Sequence, residues 1–207
     1  MDESFEVLVR YKETCHQLNV TPSDILVTAT EASRVSENAE LFFKKVKEEI
    51  DLDIITITGE AEAYYSAVGV LFDNKIKDEV ITIMDIGGAS TELIRVERKT
   101  EKIIHSFSMP AGVVRMNNWK EENKSIENLD RVLDDYSDGI EMLGATKLFC
   151  VAGTMTSVGN MFLDLKSFEE QEVNGLEIKI SDIEIMIENY KEFSLSLIHI
   201  GRCRRRG

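Results

Sequence analysis

A chain of 207 residues with 43% hydrophobic side chains has enough apolar material for one large domain or two modest ones. Its formal net charge of −14 excludes a surface built to track nucleic acid or an anionic membrane, since either selects a positive face. Cys15, Cys150 and Cys203 are widely spaced, with no CxxC or Cys/His grouping, so neither a disulfide framework nor a zinc site is expected. No apolar run is long enough to span a bilayer and no charged-then-apolar leader opens the chain, so a cytoplasmic protein is expected.

The apolar spacing of Phe5, Leu8, Val9, Tyr11, Cys15 and Leu18 predicts an amphipathic helix, and Asp24 to Thr28 reads as a strand after a Thr-Pro-Ser turn. A second helix is predicted over Asn38 to Ile50, a strand over Asp53 to Thr58, and a third helix over Glu60 to Phe72. In that third helix Ala61, Ala63, Ala67 and Gly69 would permit close packing. A glycine-bearing hairpin follows, and Ile103 to Phe107 adds a third antiparallel strand. Ile126 to Leu143 reads as one helix and Lys147 to Val151 as a buried strand. Gly153, Thr154 and Thr156 open a helix to Leu163, and Asp182, with Ser181 as N-cap, opens a last one ending near Phe193. The sum is a mixed α/β chain whose sheet includes a meander, consistent with two lobes meeting at a cleft.

The hairpin carries the densest chemistry. In ITIMDIGGASTEL, residues 81–93, an apolar strand delivers Asp85 to its end. Gly87 and Gly88 there remove side chains that would keep backbone N–H groups from phosphate oxygens. Ser90 and Thr91 add hydroxyls, and Glu92 is a second acid. The order suits a phosphate-and-metal site, although the same residues would also make an ordinary glycine hairpin, with Asp85 bonding its own backbone and Glu92 solvated. Neither a Walker A nor a dinucleotide pattern is present.

The succession ATEASRVSEN, ITITGEAEAYYSAVGV, IMDIGGASTELI, MPAGVVRM and VAGTMTSVGN resembles, in order and spacing, the exopolyphosphatase and guanosine pentaphosphate phosphohydrolase family, over residues 1 to about 190. The resemblance implies a two-lobed α/β fold of the actin, Hsp70 and sugar kinase superfamily, which is ribonuclease H-like. Residues 1–72 would form a partial first lobe and 73–194 the second. It implies hydrolysis of the terminal phosphoanhydride of polyphosphate or guanosine pentaphosphate, with Mg²⁺ as cofactor and pairing of two chains. An ATPase or kinase of the superfamily, or a noncatalytic polyphosphate or nucleotide sensor, remain as alternatives.

Residue by residue, the family's catalytic glutamate falls on Glu62, near the start of the third helix, where it can take a proton from attacking water. Glu60, two residues before, points to another helix face, and both acids also suit the positive end of a helix dipole. The resemblance makes Asp85 and Glu92 the carboxylates that hold Mg²⁺, directly or through water. Gly87, Gly88, Ala89 and Ser90 match its phosphate loop. The third position is more often glycine there, so Ala89 fits only if its backbone avoids positive φ. Arg34 matches the arginine that reaches phosphate, its other reading being a surface ion-pair partner. Gly153 and Thr154 resemble a second loop at a helix N-terminus, which without the family is only a cap. Arg115 is a weaker candidate, and His16, His105 and His199 are read as noncatalytic.

Two features depart from the family. Its members open with a strand and an Asp-x-Gly-Ser-Asn loop, absent here, so a chain truncated at its start, poorly active alone and prone to associate through strand edges, is expected. The last thirteen residues, LSLIHIGRCRRRG (195–207), hold four arginines and no acid, and back-translation resembles a sequencing-library adapter. They are expected to be foreign, or else a basic tail that binds an anion.

Overall fold

The computed structural model describes residues 2–73 and 76–190, so the expected foreign tail lies outside the described residues. Helix α1 spans Asp2–Gln17, and a 3-10 turn at Pro22–Asp24 leads into β1, Val27–Ala29. Next come α2 (Glu31–Val35), α3 (Ala39–Ile50), β2 (Ile54–Thr56) and α4 (Gly59–Leu71). The meander is β3 (Val80–Ile86), β4 (Thr91–Glu97) and β5 (Lys102–Met109), followed by α5 (Val113–Glu121), α6 (Ser125–Asp135) and α7 (Ser137–Leu143). The described chain closes with β6 (Phe149–Val151), α8 (Ala152–Phe162), α9 (Glu170–Val173) and α10 (Ile180–Tyr190).

Strands β1 and β2 pair in parallel, with α2 and α3 as their connection. The second sheet has the order β5-β4-β3-β6, antiparallel through the meander and parallel between β3 and β6. Because side chains alternate along a strand, this sheet has two distinct faces. On one, Ile81, Ile83, Ile94 and Val96 are fully buried against Ala63 and Ala67 of α4. Those alanines are four residues apart, so they form one stripe, and their small size lets the helix lie close. On the other face Leu93 and Met109 pack with Val132, Leu143 and the partly buried Met84, Phe107, Leu129 and Tyr136. Alternation therefore puts Asp85, two residues beyond Ile83, and Glu92, two before Ile94, on the α4 face.

Several elements differ from expectation, each for a local reason. The predicted strand at 24–28 begins only at Val27, because Pro22–Asp24 coils into a 3-10 turn held by the Thr21 hydroxyl on Asp24, 2.6 Å. In α4 only Ala63 and Ala67 are buried; Gly69 is exposed and takes no part in the packing. The single helix expected over 126–143 is two, broken at Tyr136 (φ −108°, ψ 8°), where the Ser137 hydroxyl donates to the Asp134 carbonyl. The apolar stripe runs through the break, so periodicity alone does not reveal it. Strand β6 is shorter than expected and not buried, with Leu148 43% exposed, because among the described residues β6 pairs with β3 alone and lies at the sheet edge. The last helix starts at Ile180, so Ser181 lies inside it; the end expected near Phe193 lies outside the described residues. Helices α2, α5 and α9 are short elements that no long apolar period announces. Among the described residues no helix is long and apolar enough to cross a membrane.

Candidate active site

Register builds the site. Asp85 pairs across the β3–β4 ladder with Glu92, and Glu92 pairs across the β4–β5 ladder with Ser108, so three polar residues form one row over three strands. Ser108 donates its hydroxyl to Glu92 Oε1 at 2.8 Å. Helix α4 lies over this row. Its Ala63 and Ala67 rest on the apolar rows, and the adjacent residues Glu62 and Ser66 reach the polar one. Ser66 Oγ donates to Asp85 Oδ2 at 3.2 Å. Glu60 is exposed, so the helix turns Glu62 and not Glu60 toward the row.

Electrostatics show the same convergence. Burial pushes the Glu92 carboxyl above its ordinary value; the hydroxyls of Ser90 and Ser108 pull it back, and the negative charges of Glu62 and Asp85 push it further up. Glu92 is 3% exposed, which is rare for a glutamate without a cation beside it. Arg34 stands against Glu62, with Nη2 3.0 Å from Oε2, and its Nη1 donates to the Ile57 carbonyl at 2.7 Å. Both readings of Arg34 are thus represented: it belongs to the site, and it is an ion-pair partner there.

The double-glycine turn is held from behind by α5. The N–H groups of Val113, Val114 and Arg115 donate to the carbonyls of Gly87 and Gly88, and Gly87 N–H donates to the Ser90 carbonyl. Among the described residues the N–H groups of Gly88, Ala89 and Ser90 have no backbone acceptor, and such a run is what an anion needs. Neither Gly87, Gly88 nor Ala89 has positive φ, so alanine fits the third position without strain. The glycine that sterics require is Gly112, at the N-cap of α5. A Cβ there would lie 2.5 Å from the Gly88 carbonyl carbon and oxygen and 2.6 Å from Ala89 N.

The second loop meets the first because β6 runs parallel to β3, with Val151 opposite Asp85. Helix α8 starts at the next residue, and the Thr154 hydroxyl donates to the Ile86 carbonyl at 2.9 Å. That hydroxyl is a clasp between the loops, and Gly153 stands beside it with open space where a Cβ would be. Ala152 takes φ +69°, a left-handed conformation that strains an alanine.

Glu62, Asp85, Glu92, Arg34, the 87–90 turn and the Gly153–Thr154 corner therefore adjoin one another. Sequence reasoning missed Ser66, Ser108, Gly112 and Glu31, and it rated Arg115 too low. Glu31 bonds Arg34 and lies 3.5 Å from Arg115 Nη2, while Arg115 Nε donates to the Ala89 carbonyl at 2.8 Å. Only Ser66, one turn after Glu62, and Glu31, one turn before Arg34, had a visible signal; Ser108 needed the strand register. A groove of about 750 Å³ between α5 and α6, lined by Lys120, Lys124 and Arg131 among others, contains none of these residues.

For a divalent cation, the donors facing this point are all carboxylate and hydroxyl oxygens, the set that suits Mg²⁺. Among the described residues no three His, Cys, Asp or Glu side chains are placed to hold one metal ion. A magnesium ion is commonly held by one or two carboxylates with waters completing its shell, and Asp85 and Glu92 are the pair that would supply them here.

Fold and site together define a mixed α/β protein with an acidic row facing a glycine turn. A model of the Ppx/GppA phosphatase family matches residues 1–202, and the chain belongs to that family. It is 28% identical over 223 residues to a bifunctional 3-dehydroquinate synthase/phosphatase of Fusobacterium nucleatum, covering 89% of this chain and 33% of that one. Among solved structures, an Aquifex aeolicus Ppx/GppA enzyme superposes with a TM-score of 0.73 at 25% identity, covering 97% of this chain and 67% of that one. An exopolyphosphatase from Cytophaga hutchinsonii superposes with a TM-score of 0.72 at 20% identity, covering 91% and 62%, and shows the fold alone. The chain spans about a third of the length of that curated relative.

Proposed function

We propose that this site hydrolyses the terminal phosphoanhydride of inorganic polyphosphate, with guanosine pentaphosphate as a second substrate of the same chemistry. The observation that carries the reading is the meeting of Glu62, Asp85 and Glu92 on one face of the sheet, beside a turn whose N–H groups at 88–90 have no backbone acceptor among the described residues. Glu62 takes a proton from the attacking water, and Arg34, at 3.0 Å, fixes its carboxylate and lies close to the incoming phosphate. The N–H groups of residues 88–90 and the start of α8 hold the phosphate chain in line. A magnesium ion held through Asp85 and Glu92 would supply positive charge at the terminal phosphoryl oxygens. That charge offsets a local excess of acid: Glu31, Glu62, Asp85 and Glu92 face two arginines, Arg34 and Arg115.

We also propose a cytoplasmic location, pairing of two chains and a low rate for this chain by itself. The test is therefore a single-turnover assay with protein in excess, long polyphosphate and Mg²⁺, which reads slow hydrolysis. Glu62→Gln should lower the rate by about 10²–10⁴-fold, the usual contribution of a general base, while binding of polyphosphate changes by no more than about threefold. An unchanged rate in that variant rejects the role of Glu62. Binding of the chain with no hydrolysis by either protein would mark a sensor.

A further inference from the structure

Glu31 stands between two arginines from distant parts of the fold. Its Oε2 lies 3.2 Å from Arg34 Nη2 and accepts from Arg34 Nε at 3.3 Å, while its Oε1 lies 3.5 Å from Arg115 Nη2. Each carboxylate oxygen thus serves one guanidinium, as phosphate oxygens would between the same two cations. Both arginines are anchored independently, Arg34 on the Ile57 carbonyl and Arg115 on the Ala89 carbonyl. Releasing Glu31 would therefore leave them in place, Arg34 still paired with Glu62 through Nη2, and would free Arg34 Nε and Arg115 Nη2 for an incoming anion. The three side chains are mostly buried, at 21%, 22% and 31% exposure, so these contacts outweigh an ordinary surface pair.

We infer that Glu31 is an internal anion that occupies the two arginines until a phosphate chain displaces it, and that it thereby selects chains over single phosphate groups. The inference rests on the phosphate-binding half of the proposed function and not on the hydrolytic step. A lone orthophosphate must exchange an intramolecular carboxylate for one free ligand, which is an unfavourable trade. A chain engages the N–H groups of residues 88–90 at the same time, so its second contact is intramolecular and Glu31 is displaced.

The test is calorimetric titration of the chain with orthophosphate and with tripolyphosphate, which requires no turnover. Glu31→Gln should bind orthophosphate about fivefold tighter than the wild type and tripolyphosphate no more than about twofold tighter, narrowing the preference for the chain. Glu60→Gln, which removes an equal charge from an exposed site, should leave both affinities within about twofold. The gain should disappear when Arg34→Gln and Arg115→Gln are added, as expected for a coupled group. Orthophosphate binding unchanged or weakened in Glu31→Gln, or an equal gain in Glu60→Gln, overturns the inference. So does a wild type that fails to prefer tripolyphosphate. If Glu31→Gln does not fold, Glu31→Asp, too short to span both guanidiniums, must show a gain of the same sign or the inference falls. The two proposals fail separately: a protein that shows this binding pattern but cleaves nothing loses the hydrolase reading and keeps this one.

Discussion

Glu92 is a carboxylate whose surroundings favour its proton, through burial first and the charges of Glu62 and Asp85 after it. A folded-state value above the unfolded one means that the native chain binds more protons than the unfolded chain as pH climbs out of the ordinary carboxylate range. The contribution of Glu92 to stability is therefore greatest below that range and falls as pH rises through its folded value. Glu92→Gln, which keeps an acceptor for Ser90 and Ser108, should stabilise the chain at pH 7 in chelator and do so less at pH 4, read by urea denaturation at both pH values. Added Mg²⁺ should reduce the advantage at pH 7 if the two carboxylates hold it. Gly112 makes a different demand. Gly112→Ala forces a methyl group against the Gly88 carbonyl and Ala89 N, and should destabilise by about 1–3 kcal/mol, the usual range for overpacking. It should also weaken tripolyphosphate binding, because the atoms that must move belong to the anion turn.

One side-chain hydrogen bond clasps α8 to the end of β3. Thr154→Val keeps the shape and removes the donor to the Ile86 carbonyl, so a loss of about 1 kcal/mol is expected in chemical denaturation. Weaker phosphate-chain binding with little change in the single-turnover rate should accompany it, since the clasp positions a loop and touches no reacting atom. The hairpin, its glycine turn and the helices α1, α3 and α4 were legible in the sequence because their signals are local: alternation in ITIMDI, an i, i+4 stripe in α4, paired glycines. What was not legible depends on who faces whom. Ser108 reaches Glu92 only through the β4–β5 register, which shifts at Arg95/Val96. Tyr136 breaks a helix whose apolar period continues across it. Gly112 appeared in MPAGVVRM, yet its purpose is a backbone 24 residues earlier that lies against it only in the fold. Glu60 and Glu62, between which the family resemblance had chosen, also differ in the fold, Glu60 being exposed and Glu62 pairing with Arg34 at 3.0 Å, a difference that the helical period alone does not give.

At the scale of the molecule, charge opposes the proposed substrate. A chain at −14 repels a polyanion at long range, and only the turn, the arginines and a bound cation attract it at short range. At fixed free Mg²⁺, raising monovalent salt from about 10 to 150 mM shortens the screening length from about 30 to 8 Å, so the association rate with polyphosphate should rise. A nucleic-acid-binding protein would show the opposite slope, and stopped-flow association rates distinguish the two. Finally, α4 places Ala63, a residue that seats the helix on the sheet, one peptide bond from Glu62, the proposed base. Scaffold and chemistry share a single rigid rod there, so evolution has no freedom to tune one without jolting the other. Drift in this lineage should spare the underside of that rod as strictly as the acid on its flank, and a bulkier residue at 63 or 67 should silence the protein before it unfolds it.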